Sequence, residues 1–198
     1  DHRDLHSFPT RRSSDLGGLV VAGSCDNHLY AIEGATGRVR RRIDAESQIA
    51  ASPALATNLA VAGTYGGEVI AADPVGGSVL WRFADTNGAA FFSSPALTAD
   101  RVLIGRRDGR LYALNRTDGA VAWTFAAKDN VDGAPVVCGS HVFVGADDGR
   151  LYALALSDGR EVWRYEAGAA IAGSPALSDG RLVIADADGW VHAFEPAK

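Results

Sequence analysis

The chain is poor in the residues that metal and redox sites draw on. Among its 198 residues there are two cysteines, Cys25 and Cys138. They lie far apart in the repeat order described below, so no bond between them is expected, and two cysteines do not fix a redox compartment. No Cys-x-x-Cys or His-x-x-x-His spacing is present for a transition metal. His28, His141 and His192 fall at strand or turn positions and read as surface or packed residues, not ligands. No apolar run is long enough for a helix with its own stripe. Without a helix there is no seat for a Gly-rich phosphate loop. Lysine is also scarce: two of the 19 basic residues, Lys128 and Lys198, against 17 arginines. With abundant Ala and Gly, this points to a GC-rich bacterial coding sequence. The net charge of −5 gives no support for a nucleic-acid partner.

What is present is a repeat. Asp108-Gly109-Arg110-Leu111-Tyr112-Ala113-Leu114, followed by Asp118-Gly119 and Trp123, recurs as Asp148 to Leu154 with Asp158-Gly159 and Trp163. Weaker copies are Asp26 to Ile32, Gly66 to Ala72 and Asp188 to Phe194. Leu29, Val69, Leu111, Leu151 and Val191 are separated by 40, 42, 40 and 40 residues. A fixed period of this size marks a repeat architecture.

Each period holds four strand-sized apolar runs. In the third copy they are Ser94 to Leu97, Arg101 to Gly105, Leu111 to Leu114 and Ala120 to Phe125. The second and third runs are joined by Asp-Gly, Asp-Asn or Gly-Gly, which predicts a tight type I′ hairpin. The third and fourth are joined by a longer loop ending in Gly37, Gly77, Gly119 or Gly159. Two hairpins make a four-stranded antiparallel blade, and blades around an axis make a β-propeller. Trp81, Trp123 and Trp163, each four residues after a loop glycine, are expected to wedge between blades. Arg41 stands there in the first copy. Gly23, Gly63, Gly105 and Gly145 fit close backbone approach. The aspartates at 26, 108, 148 and 188 read as turn formers.

The pattern Ser-Pro-Ala-Leu, Val-Leu-Ile-Gly, Asp-Gly-Arg-Leu-Tyr-Ala-Leu, Thr-Asp-Gly, Trp resembles the pyrroloquinoline quinone (PQQ)-type propeller repeat from Gly17 to Pro196. The resemblance implies an all-β propeller fragment of four to five blades from a ring of about seven or eight. It does not by itself choose a function. Quinoprotein dehydrogenases, a lipoprotein scaffold of the outer-membrane β-barrel assembly machinery and sensor domains of bacterial Ser/Thr kinases share it.

Residues 1–16 stand outside the repeat and resemble the translation of a short-read sequencing adapter, which removes them from fold reasoning. The natural protein is then expected to begin upstream of Gly17, and the absence of a visible signal peptide carries no meaning. Repeats are expected at about 17–50, 51–92, 93–132, 133–172 and 173–198, the first starting partway through a blade. The last lacks a fourth strand, which a segment from the missing N-terminal part would supply. Arg38, Arg40, Arg41 and Arg42 read as the solvated edge of an outer strand. Two extra residues between Phe83 and Pro95 lengthen one connection. There, Phe91 and Phe92 are either exposed contacts or tucked between blades.

No converging catalytic constellation is visible, and no adjacent cysteine pair of the dehydrogenase type. Asp147-Asp148 alone makes a poor Ca²⁺ site. The expectation is a non-catalytic interaction or scaffold module without cofactor, periplasmic or extracytoplasmic, binding a protein or peptide and no nucleic acid. Membrane association would come only through the missing N-terminus. The candidate face is Phe91, Phe92, Arg106, Arg107, Asp147 and Asp148. The alternatives are a PQQ- and Ca²⁺-dependent quinoprotein dehydrogenase, in which both cofactors would be bound, and a kinase sensor domain.

Overall fold

A computed structural model describes residues 14–16, 18–178 and 180–195. The rest of the adapter-like segment, residues 1–13, lies outside the described residues, as do Gly17, Asp179 and residues 196–198. Every element is a β-strand, and the strands form five antiparallel sheets with neighbours in chain order. Blade 1 is β1 (Ser14–Leu16), β2 (Leu19–Gly23), β3 (His28–Glu33) and β4 (Val39–Asp44). Blade 2 is β5 (Ala54–Ala56), β6 (Leu59–Gly63), β7 (Glu68–Asp73) and β8 (Ser78–Ala84). Blade 3 is β9 (Ala96–Leu97), β10 (Arg101–Gly105), β11 (Arg110–Asn115) and β12 (Val121–Ala126). Blade 4 is β13 (Val136–Cys138), β14 (His141–Ala146), β15 (Arg150–Ala155) and β16 (Glu161–Glu166). Blade 5 has three strands among the described residues, β17 (Ala176–Ser178), β18 (Arg181–Ala185) and β19 (Val191–Phe194).

The first strand differs from expectation. Ser14–Leu16, part of the segment set apart from the repeat, pairs with β2 in the register Ser14↔Val21 to Leu16↔Leu19. It occupies the place that Ala54–Ala56 takes in blade 2. A short extended segment supplies the same backbone pairing whatever its sequence, because the ladder bonds are main-chain.

The turns between the second and third strands also differ. A type I′ turn needs two residues at positive φ. Only one residue per turn has it: Asn27, Gly67, Gly109, Gly149 and Gly189, at 71° to 87°. The preceding aspartate works through its side chain instead: Asp108 and Asp148 accept the amides of Arg110 and Arg150 at 3.1 and 3.0 Å.

In each complete blade the third and fourth strands slip register by one residue, at Ala31/Ile32, Ala71/Ala72, Ala113/Leu114 and Ala153/Leu154. This bulge puts an unpaired residue just before Arg41, Trp81, Trp123 and Trp163. Bulges bend a strand and re-aim the side chains beside them.

The core lies between blades, not within them. Four apolar clusters each straddle one joint: Val21, Leu29 and Ala31 against Ala60, Ala62 and Ile70, for example. The same positions recur at the next three joints. Neighbouring blades come so close that a Cβ on Gly23, Gly63, Gly105 or Gly145 would lie 2.3–2.4 Å from the connection residue Ile49, Phe91, Val131 or Ile171. Trp81 packs its six-membered ring on Gly119 of blade 3 and donates Nε1–H to the Arg116 carbonyl at 3.0 Å. Trp123 does the same at Gly159 and the Leu156 carbonyl, also at 3.0 Å. Arg41 imitates them with its alkyl stem on Gly77 and Nε–H on the Gly76 carbonyl. Nearer the first strands, Ser94 Oγ accepts the Ser52 amide at 3.1 Å and Ser174 Oγ the Ala134 amide at 2.9 Å. Ala134 has no hydroxyl to do this for Ser94.

Candidate interaction face

The connections from one blade to the next run along the same side as the turns after β2, β6, β10, β14 and β18. Each is stitched to the turns of both blades it joins. Ile49, Phe91, Val131 and Ile171 donate their amides to the carbonyls of Ser24, Thr64, Arg106 and Ala146 at 3.0–3.1 Å. One residue earlier, the carbonyls of Gln48, Ala90, Asn130 and Ala170 accept the amides of Tyr65, Arg107, Asp147 and Ala187 at 2.9–3.1 Å. Eight equivalent bonds make this side a rigid frame for its side chains.

On that frame a strip of side chains runs from blade 2 to blade 4. Tyr65 meets Phe92 edge to face with centroids 4.5 Å apart. The Arg107 guanidinium carbon lies 3.7 Å from the Phe92 centroid. Arg107 then makes a fork with Asp132 at 2.7–3.1 Å, which pushes the Arg107 pKa up. Asn130 Nδ2 donates to Asp147 at 3.3 Å. Side-chain exposure is 44% for Arg107 and overall exposure is 42% for Tyr65. The strip therefore offers surface while its geometry is held by stacking and a bidentate pair.

The six candidate residues do not form one surface. Phe92, Arg107 and Asp147 lie on the strip. Phe91 and Arg106 are fully buried, and the Asp148 side chain is nearly so. These three build joints. Phe91 fills the position shared with Ile49, Val131 and Ile171. Arg106 lies against the Phe91 ring, 5.0 Å from its centroid. Its Nε–H donates to the Ala89 carbonyl at 2.7 Å and its Nη1 lies 2.5 Å from Asp85 Oδ2. That pairing holds the Asp85 carboxyl below its ordinary pKa, with burial acting against it. Asp148 Oδ2 accepts the Tyr152 hydroxyl at 2.5 Å and the Lys128 amide at 3.1 Å. Burial first, and that bond second, push the Tyr152 hydroxyl up to about 12.

Sequence reasoning missed Tyr65, Asp132 and Asp85. Tyr65 was findable: it stands 42 residues before Arg107 and 82 before Asp147, in the column that faces the loop side. The burial of Phe91 was legible too, because Ile49, Phe91, Val131 and Ile171 are spaced 42, 40 and 40. Asp85 and Asp132 carried no periodic signal. Among the described residues no helix is long and apolar enough to cross a membrane. No group of three or more His, Cys, Asp or Glu is placed to hold a metal there.

Stacked four-stranded antiparallel blades with their core at the joints define a β-propeller. A family model described as outer membrane protein assembly factor BamB matches residues 7–126 and 107–198, and the chain belongs to this PQQ-type propeller family. The match begins inside the adapter-like segment. Among curated proteins nothing matches the chain. BamB from Moraxella catarrhalis has a similar structure, with a TM-score of 0.83 at 22% identity over 93% of this chain and 60% of that one. The computationally designed Ika8 gives 0.81 at 18%, over 93% and 57%. The designed Ika4 gives 0.67 at 17%, over 77% and 93%. The chain thus spans less than two thirds of the BamB and Ika8 chains it resembles.

Proposed function

We propose that the chain is a non-catalytic scaffold module of outer-membrane protein assembly, acting outside the cytoplasm and binding a protein partner through its loop side. The observation that carries this reading is the Tyr65–Phe92–Arg107–Asp132 strip. An aromatic and an arginine already locked together lose little side-chain entropy on binding, which is how interface anchors contribute affinity. Membership of the assembly-factor family supports the cellular role. The exposed end of the strip, with Phe92, Arg107 and Asp147, is where the partner rests. The module needs neither PQQ nor Ca²⁺, so adding both to the intact protein is expected to leave its absorption spectrum unchanged.

A photo-crosslinking residue placed at Phe92 in bacteria tests the partner. Capture of a component of the assembly machinery, reduced about tenfold in yield by Arg107→Ala, is the expected result; a loss of about 1.4 kcal/mol corresponds to that factor. Capture of only abundant bystanders, or capture indifferent to Arg107→Ala and Tyr65→Ala, would sink the reading. Far-UV circular dichroism confirms that each variant keeps its sheets.

A further inference from the structure

The two flanks of the arc carry the same chemistry as the two halves of its internal joints. On the leading side of a blade, the joint residues are Val102, Ile104, Tyr112 and Leu114 in blade 3, all buried. Their counterparts in blade 1 are Val20, Ala22, Tyr30 and Ile32, and these are half-exposed. On the trailing side, Leu29, Val69, Leu111 and Leu151 are fully buried, and Ala31, Ala71, Ala113 and Ala153 nearly or fully so. The counterparts in blade 5 are Val191, which is 69% exposed, and the exposed Ala193.

One residue on the trailing flank departs from the pattern. The four internal joints have glycine at 23, 63, 105 and 145, because the side chain of a connection residue presses on that spot. Position 185 is alanine. Its methyl group would meet any connection residue seated as Ile171 is, and it fills the same space when no connection residue arrives. The flank is thus shaped for a blade that comes without a preceding connection wedged behind it.

We propose that this trailing flank of blade 5 seats the leading flank of blade 1 from a second copy of the chain. The contact is head to tail: Val191, Ala193 and Ala185 of one copy receive Val20, Tyr30 and Ile32 of the next. Such an interface uses different patches on its two sides, so each copy keeps one free flank, and association is not limited to pairs. This surface is separate from the loop-side strip, and the proposal stands independently of the function assigned above.

The test uses the full chain in analytical ultracentrifugation over a wide concentration range, with Val191→Asp and Ile32→Asp variants. Both positions are at least partly exposed, so folding is expected to survive, and circular dichroism checks it. Wild type is expected to self-associate. Each variant alone is expected to associate at least about tenfold more weakly, since a carboxylate desolvated on an apolar face is costly. Mixing the two is expected to restore a one-to-one complex, because one supplies an intact trailing flank and the other an intact leading flank. A wild type that stays monomeric at every concentration would overturn the proposal. So would Ile32→Asp dimerising alone while Val191→Asp does not, which would mean trailing flanks pair with each other. A mixture that stays monomeric would overturn it as well.

Discussion

The joint between blades 2 and 3 and the joint between blades 4 and 5 share a backbone plan and differ in what fills it. At the first, Trp81 is 8% exposed, bonded to blade 3, and beside a buried Arg106 that reaches back to Asp85 and Ala89. At the second, Trp163 is 42% exposed and meets Phe194 of the last blade edge to face, with centroids 5.5 Å apart. In place of an arginine, the second joint has the Asp186–His192 pair at 2.8 Å, with the Tyr165 hydroxyl 3.3 Å from the other ring nitrogen. The bond from His192 holds the Asp186 carboxyl below its ordinary pKa. The repeat therefore specifies where blades meet, while single residues decide how firmly.

Removing the arginine breaks the comparison most strongly. Arg106→Met strands Asp85 and the Ala89 carbonyl in a partly buried site, and a loss of about 3 kcal/mol is expected in denaturant unfolding. The pair also has a pH signature. The folded-state pKa of Asp85 is depressed, so its contribution is present above the unfolded value of 3.8 and is lost as pH falls through the lower folded value. Asp85→Asn is expected to remove that component of the acid unfolding profile, and an unchanged profile would contradict the assignment.

The glycine column gives the next effect. Gly145→Ala places a methyl 2.3 Å from Ile171 Cγ2 and 2.9 Å from the Ile171 carbonyl oxygen. The expected cost is about 1–3 kcal/mol. The reverse change, Ala185→Gly, touches no such neighbour and is expected to cost about 0.5–1 kcal/mol through chain entropy alone. Equal effects at the two sites would show that the flank of blade 5 is packed like an internal joint.

The tryptophans sharpen the contrast further. Trp81→Phe loses an indole bond to the Arg116 carbonyl and is expected to cost about 1 kcal/mol. Trp163→Phe is expected to fall within experimental error, because its ring is already half open to water. The smallest effect is a gain. Ala134→Ser supplies the hydroxyl missing opposite the Ser94 amide, and about 0.5 kcal/mol of added stability is expected in thermal unfolding.

Much of this was legible in order along the chain. The 40-residue spacing located the blades, and the four apolar runs located their strands to within one or two residues. The loop glycines at 37, 77, 119 and 159 all have positive φ, 71° to 87°, because the turn there bends the chain into the left-handed region. The bulge before Arg41, Trp81, Trp123 and Trp163 was not legible: an extra residue in one strand leaves composition and spacing unchanged. Nor was the division of Phe91 from Phe92. Two adjacent identical residues point to opposite sides of an extended segment, and only the placement of the next blade decides which is inside. The strip was half visible, since Tyr65, Arg107 and Asp147 share a column. Asp132 entered it through a contact between a connection and a turn that no local pattern marks.

By itself the sequence determined the repeat, the number of strands per blade and the loops that permit them, because period-two patterning and glycine placement act on neighbours a few residues apart. The tertiary structure decided which side chains are surface and which are joint. Arg106 and Arg107 are consecutive arginines, yet one is sealed against Phe91 and Asp85 while the other lies over Phe92 in partial contact with water. That difference arises from the approach of a separate blade and its connection, an interaction between segments about 20 residues apart whose outcome depends on packing and desolvation in three dimensions.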